Sequence, residues 1–488
     1  MRWWLSALLL VGCGSAPSDA VCHSRTFVAI VPSGDCQLDG AMPEGWTARA
    51  LFGHDSPALR AWAEPRPARL ARYCVLEAAV SSSPSVALPP KLIRELSGIE
   101  GALVARDCTA SVDPAGAADP AVQAAFTAAL HSGLERVEGD ALALRPTGAV
   151  QLVVLDTASE QASLAATMGD AQHGLLMRDL ARDVACPAGE AECAVTLSSA
   201  VAMPRHGGRR DWVAGGSSGA ATDVAQALVA EVGRWRDRAR SSDDAPPRLV
   251  LNLSLGWVAA DLTSPVEQAV EDALAFAACN DALVVAAAGN VRSDQAATGA
   301  LSPARHQRTV APDPARCAEL GFDPLHALSD DASKRPLVLA VGGVDAQDRD
   351  IHNALAGSRP RLVAYAESAL PAPGLAASRT PLTGTSAASA ATAGLAALVW
   401  SFDPERSPAA VGRALEAGAW PLGVPAELTL GDDPVEARRL SVCGTLVAIG
   451  ELAEGACAGG PAPAWDSLRE ARAARRAWVL QSHPVRRF

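Results

Sequence analysis

Between residues 148 and 400 the hydrophobic pattern alternates between two kinds of segment. Short continuous apolar runs occur at GAVQLVVLD (148–156), RLVLNLSLGW (248–257), DALVVAAAGN (281–290) and PLVLAVGGVD (336–345). They read as strands buried on both faces. Between them, apolar residues recur at spacings of three and four. Val224, Leu228, Val232 and Trp235 within 220–239, and the stretch Val266–Ala277, predict helices with one buried face. Strand–helix–strand alternation implies a mostly parallel sheet with helices on both faces, an α/β architecture. Functional groups in such sheets gather at the C-terminal ends of the strands. Here those ends carry Asp156, the Ser254-Leu255-Gly256 turn and Asn290.

A different pattern appears at LTGTSAASAATAGLAALVW (382–400), where small residues follow a Gly-Thr-Ser turn without any polar face. This predicts a buried helix whose first turn carries Thr385 and Ser386. Such a serine either caps the helix or uses the free N–H groups and partial positive charge found there. Upstream, residues 25–135 mix strand-like pieces (Thr26–Val31, Tyr73–Val80), a helix-like piece (Lys91–Leu96) and proline breaks, and are expected to form a small α+β unit. Residues 202–219 read as a Gly-rich mobile linker, with Arg205, His206, Arg209 and Arg210 in solvent rather than facing an acidic substrate. Residues 426–488 form a C-terminal extension with a strand-like Ser441–Ile449 and an arginine-rich, helix-like Trp465–Leu480.

Net charge is −12 over 488 residues, which gives a nucleic-acid partner no electrostatic support. No stretch beyond the N-terminus reads as long and apolar enough to span a bilayer. The N-terminus, MRWWLSALLLVGCGS, has one positive charge and an apolar core too short for a spanning helix, as a secretory signal does. Its Leu-Val-Gly-Cys resembles the lipobox of bacterial lipoproteins. That resemblance implies a signal peptide over 1–12, a lipidated Cys13, a tether over 13–24, and a membrane-anchored protein on the periplasmic or extracellular face of the envelope. Ten cysteines remain once Cys13 is set aside, none in a CxxC pair, so disulfides are expected rather than zinc. The simplest pairs are the short loops Cys186–Cys193 and Cys443–Cys457. A Cys279–Cys317 bridge would pin the long connection after Asn290.

The polar residues at the strand ends fit one reaction. A serine hydroxyl needs an imidazole to take its proton, and a carboxylate to orient that imidazole. The oxyanion needs a side-chain amide and a backbone N–H. Asp156, His173, Asn290 and Ser386 supply these in the chain order Asp–His–Ser. VVLDTA, QHGLL, LNLSLG, VVAAAGN and GTSAASAATAG together resemble, in order, the sequence blocks of the subtilisin-like serine peptidases, the subtilases, over about 148–425.

That resemblance implies a three-layer subtilisin-like catalytic domain over 148–425. Asp156, His173 and Ser386 would form the triad and Asn290 the oxyanion donor. Ser254, Leu255 and Gly256, with Ala287, Ala288 and Gly289, would bind substrate. It implies protein or peptide substrates, an N-terminal accessory or pro-domain over 25–135, and a chain expected to be a monomer. No metal ligand and no cofactor are assigned; calcium is common in the family, but no acidic loop here has ligand spacing. Alanines at 286–288 suggest a roomy apolar pocket. The flanks depart from the family pattern: Ala158 stands for glycine, Leu175 for threonine, and Ala387 and Ala390 for Met and Pro. The alternative is therefore a catalytically inactive, subtilase-like binding protein of the envelope.

Overall fold

The computed structural model describes residues 22–38, 42–79, 86–111, 148–159, 172–186, 193–206, 209–242, 246–259, 263–291, 299–325, 328–329, 331, 334–345, 348–355, 357–358, 360–369, 382–422, 437–453 and 457. The expected signal peptide, Cys13 and the helix expected over Trp465–Leu480 lie outside the described residues.

The N-terminal unit comprises β1 (Cys22–Ile30), β2 (Trp46–Ala50), a short helix α1 (Ala68–Ala71), β3 (Tyr73–Ala78), α2 (Pro90–Gly98) and β4 (Leu103–Ser111). Its strands pair antiparallel in the order β2-β3-β1-β4. Side chains alternate across a strand, so the sheet has two faces. Phe27, Ala29, Leu76 and Val104 pack with Leu92 and Leu96 of α2. Val28, Ile30, Val75 and Ala105 point the other way, into a core shared with the rest of the chain.

The second unit runs β5 (Val150–Asp156), α3 (Gln172–Ala185), β6 (Val195–Val201), three short strands β7 (Arg205–His206), β8 (Arg209–Arg210) and β9 (Ser218–Ala220), α4 (Ala221–Ser241), β10 (Arg248–Leu253), α5 (Pro265–Ala278) and β11 (Leu283–Ala287). It continues through α6 (Pro314–Glu319), β12 (Leu339–Val344), β13 (Leu362–Tyr365), α7 (Thr385–Phe402), α8 (Pro408–Gly418), β14 (Trp420–Pro421), β15 (Arg438–Arg439) and α9 (Val442–Ala448). The central sheet has the order β14-β15-β13-β12-β11-β10-β5-β6, and every pairing from β6 to β15 is parallel.

Burial on both faces explains the continuous apolar runs. Val153, Leu155, Leu251, Leu253 and Val284 face α4 and α5. Leu152, Val154, Val250, Val285 and Val341 face α3, α7 and α8. The N-terminal sheet covers the outer side of α4 and α5, and β4 pairs antiparallel with β9 directly before α4. Helix starts follow local chemistry. Ser264 and Ser407 each accept a backbone N–H three residues on, with Pro265 and Pro408 at the first helical position.

Four expectations change. Residues Ser441–Ile449 contain α9 rather than a strand, because the Ser441 hydroxyl accepts the Gly444 N–H and caps a helix. The stretch 202–219 is not a plain linker: it holds β7, β8 and β9, and Arg205 and Arg210 turn inward to Asp223. Helix α7 is long and apolar enough to cross a membrane, yet it is buried inside the protein, as the core helix of the sheet. The strands β6 and β13 went unanticipated; β6 carries Thr196, Ser198 and Ser199, which break the apolar run.

Disulfides join Cys186–Cys193, Cys279–Cys317 and Cys443–Cys457 as expected, and also Cys36–Cys74. Cross-links of this number fit an oxidising, extracytoplasmic compartment. Cys22 and Cys108 stand opposite each other in the β1–β4 register.

Candidate active site

Asp156 is the last residue of β5 and is fully buried. Its Oδ1 accepts the Thr157 N–H at 2.7 Å and lies 2.8 Å from His173 Nδ1. His173 opens α3, and the first turn of that helix rests on the Asp156 loop. Gly174 N–H donates to Thr157 Oγ1 at 2.9 Å. A β-carbon on Gly174 would come within 3.0 Å of both Ala158 N and Asp156 Cβ, so a side chain after the histidine would press on the Asp156 loop. With Nδ1 turned to the carboxylate, Nε2 is the outward nitrogen of the ring. It has no hydrogen-bond partner among the described residues.

Ser386 is the second residue of α7 and is almost wholly buried. It is clamped to the end of β10 by a reciprocal pair of hydrogen bonds. Ser386 Oγ donates to Ser254 O at 3.0 Å, and Ser254 Oγ donates to Ser386 O at 2.8 Å. The adjoining Thr385 joins the end of β11. Its N–H donates to Asn290 Oδ1 at 3.0 Å, and its Oγ1 accepts the Gly289 N–H at 3.2 Å. Because the amide oxygen of Asn290 is held this way, its NH2 group forms the donor end of the side chain.

The two helices that carry His173 and Ser386 cross closely. A β-carbon on Gly394 of α7 would lie 2.4 Å from Ala181 O of α3, so only glycine permits the contact. Ala181 and Gly394 each stand eight residues beyond His173 and Ser386 respectively (181 − 173 and 394 − 386). This close approach packs α3 directly against α7, the two helices whose first turns carry His173 and Ser386.

Two residues not singled out from sequence complete the site. Ser389 Oγ donates to Asn252 Oδ1 at 2.7 Å, and Asn252 Nδ2 donates to Ser254 Oγ at 2.9 Å. A chain of buried polar groups therefore runs Ser389–Asn252–Ser254–Ser386. The available signal was an asparagine inside the apolar run LVLNL, with Ser389 about one helical turn after Ser386.

The substrate-binding candidates Ser254, Leu255 and Gly256 leave β10 beside Ser386, while Ala287, Ala288 and Gly289 leave β11 beside Asn290. All six are within the buried interior or its rim. Among the described residues, no group of three or more His, Cys, Asp or Glu side chains converges as a metal site, and calcium stays unassigned.

The model of the subtilase family matches residues 183–439, more than half of the chain. The chain belongs to the subtilase family. The matched stretch takes in Asn252, Ser254, Asn290 and Ser386, while Asp156 and His173 precede it. No curated protein matches the chain. Among solved structures, this subtilase is similar to the prenylagaramide maturation protease PagA, at 19% identity over 65% of this chain and 98% of that one, with a TM-score of 0.39. It is similar to MycP3 protease from the type VII (ESX-3) secretion system, at 22% identity over 70% of this chain and 92% of that one, with a TM-score of 0.41. MycP1 from the ESX-1 type VII system shares 20% identity over 65% of this chain and 84% of its own, with a TM-score of 0.40. Serine-type peptidase chemistry on peptide substrates is what membership of the family brings.

Proposed function

We propose that this subtilase is a serine endopeptidase, hydrolysing peptide bonds through an acyl-enzyme, with Ser386 as nucleophile, His173 as general base and Asp156 as its orienting carboxylate. The observation that carries this reading is the 2.8 Å contact between His173 Nδ1 and Asp156 Oδ1. It commits the Nδ1 proton to the carboxylate and leaves Nε2 as the basic nitrogen. In this reading the Ser386 hydroxyl leaves Ser254 O, turns to Nε2 and loses its proton there as Oγ attacks the carbonyl carbon. The carbonyl π electrons move to oxygen. That oxyanion meets the Asn290 NH2 and the Ser386 N–H at the positive end of α7. His173 then gives its proton to the amine as the C–N bond breaks, and water repeats the sequence to free Ser386.

The N-terminal unit, within 25–135, is read as a seated accessory domain rather than a pro-domain that leaves. Asp272 of α5 receives Arg69 Nε at 2.8 Å, Arg72 Nη2 at 3.0 Å and the Tyr73 hydroxyl at 2.5 Å. Arg236 of α4 reaches Glu64 at 2.9 Å. Separation would also expose the apolar surface of Val28, Ile30, Trp62 and Val75, which shares one core with α4 and α5, and that makes it costly. With Cys13 lipidated and residues 13–24 as tether, the enzyme would work at the bacterial envelope, on its periplasmic or extracellular face. Residues 426–488 then extend the catalytic domain, 148–425.

One observation favours a second reading, a catalytically inactive subtilase-like binding protein: the Ser386 hydroxyl donates to Ser254 O and not to His173. Labelling the full chain with a fluorophosphonate separates the two. Labelling that vanishes in Ser386→Ala supports the peptidase; a chain that stays unlabelled, while folded, supports the binding protein.

A further inference from the structure

The roomy pocket expected from alanines 286–288 is filled from another part of the chain. Leu301 lies between the two strand ends that flank the nucleophile. A β-carbon on Gly256 would come within 3.0 Å of Leu301 Cβ and 3.1 Å of its Cδ1. One on Gly289 would come within 2.5 Å of Leu301 Cγ and 2.9 Å of its Cδ1. The side chain thus touches both walls at once, and each wall is a glycine because Leu301 takes the space.

This gap is where an acyl group would place its side chain. Gly256 is two residues past Ser254, whose carbonyl holds Ser386 Oγ, and Gly289 is held to Thr385 by its own N–H. A carbonyl carbon bonded to Ser386 Oγ, with its oxygen toward Asn290, has its Cα side chain aimed between the two strand ends.

Leu301 is not on a swinging flap. Its N–H donates to Ala288 O at 3.0 Å, and its carbonyl accepts the Arg305 N–H at 2.8 Å. The next residue, Ser302, exchanges both backbone hydrogen bonds with Trp257 at 3.0 Å. Its hydroxyl donates to Glu267 Oε2 at 2.5 Å, while Trp257 Nε1 donates to Glu267 Oε1 at 2.6 Å. Moving Leu301 out would break a buried network at several points.

Resting on the peptidase reading above, we propose that Leu301 plugs the pocket for the residue that donates the scissile carbonyl, so that this subtilase takes glycine, alanine or serine there and rejects large side chains. Overpacking a buried site with an aromatic ring forces its neighbours off their positions, whereas a methyl group fits beside the leucine.

The test labels the full chain with three serine-directed phosphorus reagents: a small fluorophosphonate, and the single-residue diphenyl phosphonates of N-acetyl alanine and N-acetyl phenylalanine. The last two differ only in the side chain presented to the gap. We expect the alanine reagent to react about tenfold or more faster than the phenylalanine one, the size of discrimination a pocket of fixed volume gives. In Leu301→Ala, and in Leu301→Gly as a second variant, that ratio should fall to one or invert. Fluorophosphonate labelling with an alanine-to-phenylalanine ratio near one in the native chain, or with neither analogue reacting, overturns the plug while sparing the peptidase reading. A ratio unmoved in both folded variants does the same. No labelling by any reagent overturns the peptidase reading and the plug with it.

Discussion

Ser389 and Asn252 stand 137 residues apart in sequence and meet in the interior, Ser389 Oγ donating to Asn252 Oδ1 at 2.7 Å. Asn252 sits in register between Val154 and Val285, on the sheet face that otherwise packs α7 with apolar side chains. A polar residue there costs free energy unless it is paired. Its pairing is complete, since the amide nitrogen reaches Ser254 Oγ at 2.9 Å. The network therefore fixes how the first turn of α7 meets the end of β10.

Removing Asn252 should loosen that junction without touching a reacting atom. In Asn252→Ala, the hydroxyls of Ser254 and Ser389 lose a buried partner, a cost of roughly 1–3 kcal/mol. We expect kcat on a peptide substrate to fall more than KM rises, because Ser386 is misplaced while the strand edges that hold substrate stay put. Asn252→Asp keeps the acceptor for Ser389 Oγ but replaces the donor to Ser254 Oγ with a second acceptor and buries a charge, so it should be at least as damaging as Asn252→Ala. A variant that loses stability with unchanged kcat would make Asn252 only a packing residue. Thermal unfolding and steady-state kinetics on the same preparations decide this.

Much of this arrangement was readable in the chain because burial on two faces leaves a clear trace. The runs over 148–156, 248–257 and 281–290 contain β5, β10 and β11, and the small-residue stretch after Gly384 became α7. The relations between segments were not readable. Nothing local says that Gly394 must meet Ala181 O, or that Leu301 returns between Gly256 and Gly289 after a long connection. Ser441 was misjudged for a different reason. The apolar run after it suits a strand, and a single cap hydrogen bond to Gly444 turns it into a helix. The inward turn of Arg205 and Arg210 was hidden too, since nothing in the local pattern shows that Asp223, in the first turn of α4, is buried and takes both cations.

The seating of the N-terminal unit depends on Gly233. A β-carbon there would lie 2.3 Å from Trp62 Cδ2 and 2.4 Å from its Cγ, and Trp62 is among the largest fully buried side chains. Helix α4 has to offer a flat backbone to accept the indole. Gly233→Ala should therefore be destabilising, although alanine is the better helix former by about 1 kcal/mol. Overpacking of this kind costs roughly 1–3 kcal/mol, so steric cost exceeds the propensity gain. Trp62→Ala instead leaves a cavity and should cost about 3–5 kcal/mol. The double variant should be less destabilised than the sum of the two, because the methyl group added to α4 then has room. Denaturant unfolding of the four proteins measures this coupling, and simple additivity would show that Gly233 and Trp62 do not press on each other.

A pH response is built into the same interface at Asp107. This carboxyl on β4 is wholly buried, and burial together with the nearby Asp223 carboxylate raises it to about 6. Thr222 donates to it through its hydroxyl and its backbone N–H, and Arg205 and Arg210 pull the other way without restoring the usual value. Asp223 behaves oppositely. Burial pushes it up, but Arg210 and Arg205 outweigh that and hold it below the ordinary carboxylate range. For Asp107 the folded value lies above the unfolded one, so the folded protein favours the protonated acid. Its contribution is fully present below about pH 4 and fades as pH rises through about 6. The loss amounts to roughly 3 kcal/mol at neutral pH. Asp107→Asn keeps an acceptor for the Thr222 N–H and carries no charge to bury. The variant should therefore match the native protein near pH 4, and its Tm should exceed the native Tm by a margin that grows between pH 5 and 7. A Tm difference that stays constant across that range would mean that Asp107 does not titrate between folded and unfolded states in this window.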